Sequence, residues 1–323
     1  MIDPQIIRDQ IPFVLNGTDF DFLGEVYHGK VRDNYIANGK RVLVASDRLS
    51  AFDRIITTIP FKGQVLNQIS TFWFEKTGHI IPNHVIDTPD PNVVVGEEVE
   101  SLPIEMVIRG YITGSTTTSL WYNYNNGERH IYGLDFPDGL VKNQKLPEPI
   151  ITPTTKAQNG EHDEKITRAE ILEQGILSEE DYSYLEQKTL ELYKFGTELA
   201  AQNGVILVDT KYEFGRRSDG TIILIDEIHT PDSSRFWIAE TYEQKLATGE
   251  EPDNINKEYL RLWLAAQGFI GDGEMPEITD DVRVETAQKY IQAFELITGQ
   301  EFVPNQGNTV QRIEQNLRDY ILM

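Results

Sequence analysis

The chain has 323 residues, with 29 basic and 52 acidic side chains and a formal charge of −23. This length supports a large core and two lobes. The charge argues against nucleic acid and anionic membranes as partners, since both need a basic surface. It leaves room for small anionic substrates, because Lys, Arg and a metal ion can reverse the field inside a cleft.

The start, Met1-Ile2-Asp3-Pro4, is polar rather than signal-like. No apolar run is long enough to span a bilayer, so a cytosolic (cytoplasmic) protein is expected. There is no cysteine, which excludes disulfides, thiolate metal sites and a thiol nucleophile.

In chain order, the N-terminal third reads as β-rich, with strands over 22–28, 31–36 and 41–45. Turns are expected at Gly29-Lys30 and Asn38-Gly39. An amphipathic helix is expected over 62–76, with Val65, Ile69, Phe72 and Trp73 on one stripe and Gly78 as its stop. Strands return near 84–86, 93–95 and 104–108. Residues 127–165 hold several prolines and read as a long functional loop. Thr167-Arg168-Ala169-Glu170 is a capping box that opens a short helix. Ser178 opens a longer helix, which Asn203-Gly204 ends. A hairpin spans 205–230, and helices are expected near 257–266, 280–298 and 308–321. Strands first and helices later make an α+β fold. The expected division is a β-rich nucleotide lobe, 1–108, and a larger α+β lobe, 109–323, with a helical tail from about 256.

The hairpin is the most informative segment. Its first strand alternates, so Asp209, Lys211 and Glu213 share one face. Asp219-Gly220 is a two-residue turn signal. With that turn, Glu213 pairs with Asp226, Lys211 with Ile228 and Asp209 with Thr230. Two opposed carboxylates repel and call for a cation or a shared proton. The apolar run Ile222-Ile223-Leu224-Ile225 implies a buried strand, and buried carboxylates need partners. Glu213 and Asp226 are therefore candidate Mg²⁺ ligands, although a bulge would shift the register by one and spoil the pairing.

Five further constellations carry chemistry. Gly29-Lys30-Val31-Arg32 lies between two strands and suits a polyphosphate, or is a plain turn. Ser46-Asp47-Arg48-Leu49-Ser50-Ala51-Phe52-Asp53 suits a substrate with amine and hydroxyl groups, or caps a turn. Arg109 leads into Gly114-Ser115, where a guanidinium and a helix N-terminus suit a carboxylate or phosphate; the alternative is an N-cap plus a surface arginine. Lys156, His162 and Asp163 lie in the long loop, which suits a mobile flap. After Asp226, a donor-rich turn runs through Ser234 to Arg235.

The strings GKVRD, SDRLSAFD, PFKG, EMVIRGYITGS, TPTTKAQNGEHDEKIT, ILVDTKYEFG and IDEIHTPDSSRFW together resemble the SAICAR synthetase family, phosphoribosylaminoimidazole-succinocarboxamide synthases, in its longer fungal-like form. The resemblance implies an ATP lobe distantly like protein kinases. It implies ligation of L-aspartate to carboxyaminoimidazole ribotide (CAIR) with ATP and Mg²⁺, giving SAICAR, ADP and phosphate in purine biosynthesis. Small-molecule substrates and a monomer are then expected. The resemblance places ATP on Gly29, Lys30, Arg32, Glu105, Met106, Glu213 and Asp226, with the metal on Glu213 and Asp226. Substrates fall to Ser50, Asp53, Arg109, Ser115, Lys156, His162, Asp209, Lys211, Ser234 and Arg235. Lys30, Asp209 and Lys211 are the expected catalytic groups, and Asp209, Asp53 or His162 would take the aspartate amine's proton. The alternatives are a kinase-like phosphotransferase and a non-catalytic nucleotide-binding protein.

Overall fold

The computed structural model of the chain describes residues 2–51, 54–156, 164–255, 258–269 and 273–322. Asp3 caps helix α1 (Pro4–Gln10), with its carboxylate accepting from the Gln5 N–H. A proline in the first turn needs no hydrogen bond there. Strands β1 (Val26–His28), β2 (Arg32–Ala37) and β3 (Lys40–Ala45) follow. Asn38 and Gly39 both take positive φ, 54° and 73°, in the turn between β2 and β3, as a tight hairpin requires. A ribbon of β4 (Arg48–Ala51) and β5 (Arg54–Thr58) leads to α2 (Lys62–Thr77). Strands β6 (Val85–Asp90) and β7 (Val93–Glu97) complete a five-stranded sheet in the order β1-β2-β3-β7-β6.

The second sheet is built on two long antiparallel strands, β8 (Glu100–Tyr111) and, later in the chain, β13 (Val205–Arg216). Between them come α3 (Leu120–Asn125), the short pair β9 (His130–Ile131) and β10 (Leu134–Asp135), β11 (Lys145–Ile151) and β12 (Thr154–Thr155). The 127–165 segment is thus not one irregular loop. Strands β11 and β12 both pair with β8, and their polar, proline-bearing sequences hide them until that partner is known. Helix α4 (Arg168–Glu173) carries the expected capping box. Helix α5 (Glu179–Gln202), capped by Ser178, packs on β13 and β8. Strands β14 (Ile222–Ile225) and β15 (Ser234–Ile238) flank β13. Helices α6 (Ala239–Thr248), α7 (Glu258–Ala266), α8 (Asp280–Thr298) and α9 (Thr309–Leu322) end the chain.

The hairpin register differs from the expected one by a residue. Glu213 pairs with Ile225 and Arg216 with Ile222. The Arg217 N–H donates to the Thr221 carbonyl, and Gly220 takes φ +90°, so the loop is Ser218-Asp219-Gly220. A three-residue loop ending in a left-handed glycine moves every pairing by one. Lys211 pairs with Val107, and Asp209 pairs with Arg109 and Arg235. The carboxylate directly opposite Glu213 is Glu105 of β8. Opposed carboxylates do occur at Glu213, then, but the partner comes from another strand.

The expected division at 108/109 falls inside β8, and the sheets themselves separate between β7 and β8. The tail also packs on the first lobe. Helix α8 lies on α2 and α1, and Ile313 and Leu317 of α9 are fully buried with Tyr35, Val44 and Val93. Lys62, fully buried on α2, pairs with Asp232 at 2.8 Å, and the Tyr290 hydroxyl of α8 donates to the same carboxylate. Among the described residues no helix is long and apolar enough to cross a membrane.

Candidate functional site

A cleft of about 500 Å³, open to solvent, lies where the two sheets meet. They are tied there by the edge of β14. The Leu224 N–H donates to the Pro82 carbonyl, and the His84 N–H donates to the Leu224 carbonyl. Leu43, Val99 and Ile225 give the cleft apolar walls, while Lys156, Glu213 and Asp226 give it charge.

The charged end is a closed network. Lys211 Nζ bridges Glu105, at 2.7 Å, and Glu213. Lys156 Nζ reaches Glu213 and the Ser101 hydroxyl. Thr154 donates to the second oxygen of Glu105 at 3.0 Å. Asp226 lines the same cleft as Glu213. Its approach depends on the backbone, since β14 ends at Ile225 and Asp226 turns left-handed at φ +68°. Arg32 spans Asp226 at 2.5 Å and Glu227 at 2.6 Å. Burial opposes ionisation of Asp226, but Arg32, Lys211 and Lys156 outweigh it and hold its carboxyl well below the usual range. Burial pushes Glu227 up instead, helped by Asp226 and Asp232. Burial also works against the Lys211 charge, but Glu213, Glu105 and Asp226 keep it firmly protonated.

The Gly29–Lys30 loop is fixed by Arg48, which is 5% exposed. Its guanidinium donates to the carbonyls of Gly29 (2.9 Å), Lys30 (3.1 Å) and Asn16 (2.5 Å), and to Asp33 at 2.8 Å. Asp33, with no exposed surface, also accepts from Thr18 and contacts His28. Ser46 donates to the Val31 carbonyl. Asp47 accepts from the N–H groups of Leu15 and Gly63, so it caps the start of α2; burial raises its pKa to about 6. Both side chains thus bond backbone groups.

On the same face of the second sheet, Asp209 sits between two arginines. Arg109 lies at 3.4 Å and Arg235 at 3.1 Å. Arg109 also donates to Thr152 and to the Thr118 carbonyl. The 114–119 loop closes over this row, and a Cβ on Gly114 would stand 3.7 Å from an Arg235 nitrogen. Ser115 is exposed on that loop, but it does not open a helix. Helix α3 starts at Leu120 behind Ser119, whose hydroxyl is spent on the Thr116 carbonyl.

Several expected residues stand apart. Met106 is fully buried in the core opposite Tyr212, so its side chain offers the cleft nothing. Ser234 is buried against the Thr210 hydroxyl at 2.7 Å, on the face away from Arg235. Ser50 lies half-buried in the β4–β5 ribbon, apart from the cleft lining. Arg32 grips Asp226 rather than standing over open space. Asp53 and His162 lie outside the described residues. Arg48, Glu227 and His84 went unassigned in the sequence. Arg48 stood inside a quoted string, but only long-range contacts reveal what it holds.

Comparison with known proteins gives a consistent family. The SAICAR synthetase family model matches residues 25–276. A phosphoribosylaminoimidazole-succinocarboxamide synthase of Bacteroides fragilis is 50% identical over 95% of this chain and 98% of its own length. The fold is similar to that of SAICAR synthase from Saccharomyces cerevisiae in complex with SAICAR. That pair has a TM-score of 0.77 at 33% identity, covering 89% of this chain and 99% of the yeast chain. A type-2 SAICAR synthetase in complex with ADP has a TM-score of 0.64 at 27% identity, covering 86% of this chain and all of the other.

Proposed function

Because the chain belongs to the SAICAR synthetase family, a family of ATP-dependent ligases of purine biosynthesis, we propose that its cleft joins L-aspartate to CAIR through an acyl phosphate. The reaction forms SAICAR, ADP and phosphate. The observation that carries the reading is one continuous face, running from Asp226 and Glu213 through Lys211 to the Arg109–Asp209–Arg235 row. Charge for a nucleotide stands at one end of it, and paired guanidiniums for an anionic substrate stand at the other.

Joining a carboxylate to an amine in water is uphill, so the carboxylate must be activated. In this account the CAIR carboxylate attacks the γ-phosphorus of ATP, ADP leaves, and the aspartate amine then displaces phosphate. Phosphoryl transfer needs mainly positioning and charge neutralisation. Lys211 and Lys156 neutralise charge at the transfer point. Arg109 and Arg235 hold an anionic group of the ribotide, and Asp209 between them fixes their direction. The Gly29–Lys30 loop, clamped by Arg48, covers the phosphates. The approaching amine has to be unprotonated.

The donor set fits Mg²⁺. Glu213 and Asp226 offer hard carboxylate oxygens on the lining of one cleft. Among the described residues no group of three or more His, Cys, Asp or Glu could hold a metal by itself. Two carboxylates with phosphate oxygens and water completing the shell is the usual Mg²⁺ arrangement in nucleotide sites. When bound, the ion would neutralise phosphate charge and align the leaving group.

The test is ADP release from Mg·ATP and CAIR, with and without L-aspartate, with product masses recorded. ADP and a succinocarboxamide are expected only when all three substrates are present. ADP release indifferent to aspartate, or a phosphorylated ribotide as end product, would overturn the ligase in favour of a kinase-like transfer.

A further inference from the structure

The hairpin of β9 and β10 turns on two residues, Tyr132 and Gly133, because Ile131 pairs with Leu134. Both take positive φ, 54° and 78°. That is a type I′ turn, whose first position favours Asn, Asp or Gly. A bulky tyrosine there is uncommon and carries strain, which persists only where the surroundings demand it. The half-buried ring packs on the small core of Ile112, Leu120 and Ile131, and its hydroxyl donates to the Thr118 carbonyl at 2.9 Å. Burial raises the Tyr132 pKa, so the hydroxyl keeps its proton and donates at neutral pH.

The Thr118 carbonyl also accepts from Arg109 Nη2, at 3.2 Å. One oxygen, with two lone pairs, thus takes a neutral and a charged donor. Neighbouring carbonyls of the loop are held as well. The Ser119 hydroxyl donates to Thr116 at 2.6 Å, and Asn123 Nδ2 donates to Thr117 at 2.9 Å. Ser115, Thr116 and Thr117 nevertheless stay exposed. Arg109 is gripped through its other nitrogens, by the Thr118 carbonyl and by the Thr152 hydroxyl at 2.9 Å. Its Nη1 stops 3.4 Å from Asp209, longer than an ordinary hydrogen bond, whereas Arg235 closes to 3.1 Å.

We propose that Tyr132 is a positioning residue for the ribotide: by fixing the Thr118 carbonyl it aims Arg109 and holds the 114–119 loop over the Arg109–Asp209–Arg235 row. This rests on the reading of that row as the seat of an anionic group of CAIR. Without the hydroxyl, the loop loses a tie and Arg109 is freer to close on Asp209. Two charges that satisfy each other leave less for a substrate anion. The loss falls on the ribotide and not on ATP, whose charged groups stand at the other end of the face.

The experiment is steady-state kinetics of the intact protein with CAIR, Mg·ATP and L-aspartate, for the wild type, Tyr132→Phe, Arg109→Lys and the double variant. Tyr132→Phe should raise KM for CAIR about fivefold, the worth of one ordinary hydrogen bond. The value of kcat and the other two KM values should stay nearly unchanged. Because Tyr132 acts through Arg109, the same change made on Arg109→Lys should move KM for CAIR by less than about twofold. Asparagine suits the turn, so Tyr132→Asn keeps the hairpin without the hydroxyl and should raise the same KM. A wild-type KM for CAIR in both Tyr132 variants, or an undiminished effect on the Arg109→Lys background, overturns the assignment. So does a rise in all three KM values with a lower Tm, the mark of a residue that only packs. A wild type that makes no succinocarboxamide from the three substrates overturns the reading of the row as well.

Discussion

At Asp226 the backbone turns left-handed, a conformation that costs a non-glycine residue free energy and persists only when its surroundings demand it. Here Arg32 and Lys211 demand it, and the result is a carboxylate beside Glu213 at the cleft. Asp226→Asn keeps the backbone preference but removes the charge. Aspartate-dependent ADP release should fall by about 10²–10³-fold, the loss typical of one preorganised electrostatic contact. The rise in Tm with Mg·ATP should also disappear. Full ligase activity in this variant would remove Asp226 from the metal site.

His229 makes a different prediction. Its ring is fully buried, in contact with the Tyr212 hydroxyl at 2.6 Å and edge-on to Trp73. Burial lowers its pKa to about 3, against about 6.5 in the unfolded chain. Its contribution to stability is therefore whole above pH 6.5 and is lost as pH falls toward 3, at about 1.4 kcal/mol per unit. Asp47 acts in the opposite sense, since its raised pKa favours the fold at low pH and that advantage fades as pH rises through about 6. Comparing wild type with His229→Phe in urea cancels Asp47. Between pH 7 and pH 5 the wild type should lose about 2 kcal/mol more than the variant. Equal losses would show that the native ring takes up its proton in this range as the unfolded one does, so that burial does not lower its pKa.

Among the elements, the Gly29–Lys30 loop is the one most dependent on a distant side chain. Two of the four hydrogen bonds Arg48 makes from β4 hold it, and the others anchor the guanidinium on Asn16 and Asp33; a lysine ammonium cannot reproduce that fork. Arg48→Lys should raise KM for ATP about tenfold while changing kcat little. A lower Tm with an unchanged KM would mean that Arg48 serves the fold alone.

The helices were legible because their signals are local: the Thr167–Glu170 box, Ser178, and the caps and periodicity of 280–298 all lie within a turn of what they control. Helix α1 carried its Asp3-Pro4 signal and could have been read. The short strands β9 to β12 were not legible, because their pairing partners are one another or β8, not a local pattern. The site was legible in composition but less so in pairing. Asp209, Lys211 and Glu213 share their face as alternation requires, but Glu105 faces Glu213 across a strand more than a hundred residues away. A loop one residue longer than Asp-Gly alone suggests shifted the register. Arg48 acts through packing, which leaves no mark at fixed spacing.

At the scale of the molecule, the helical tail completes the first lobe. Arg312 grips the buried Asp90 with Nε at 2.9 Å and Nη2 at 3.1 Å, and Asn316 adds a third bond to it. Ending the chain at Pro304 would expose the cavities of Ile313 and Leu317, at roughly 1.5–3 kcal/mol each. It would also strip Asp90 of its bonds to Arg312 and Asn316, at about 1.5–3 kcal/mol. Together these approach the whole stability of a typical domain. The truncated chain should show no cooperative melt and rapid proteolysis across β1–β3, whereas a melt within a few degrees of full length would show that the tail is dispensable.

The central claim is that this cleft activates the ribotide carboxylate by phosphorylation. The most direct measurement uses CAIR labelled with ¹⁸O in that carboxylate, with Mg·ATP and L-aspartate, and mass analysis of the released phosphate. The account predicts one ¹⁸O in each phosphate formed, in step with the succinocarboxamide product. Phosphate without label, alongside ADP release, would mean that water rather than the substrate carboxylate receives the γ-phosphoryl group.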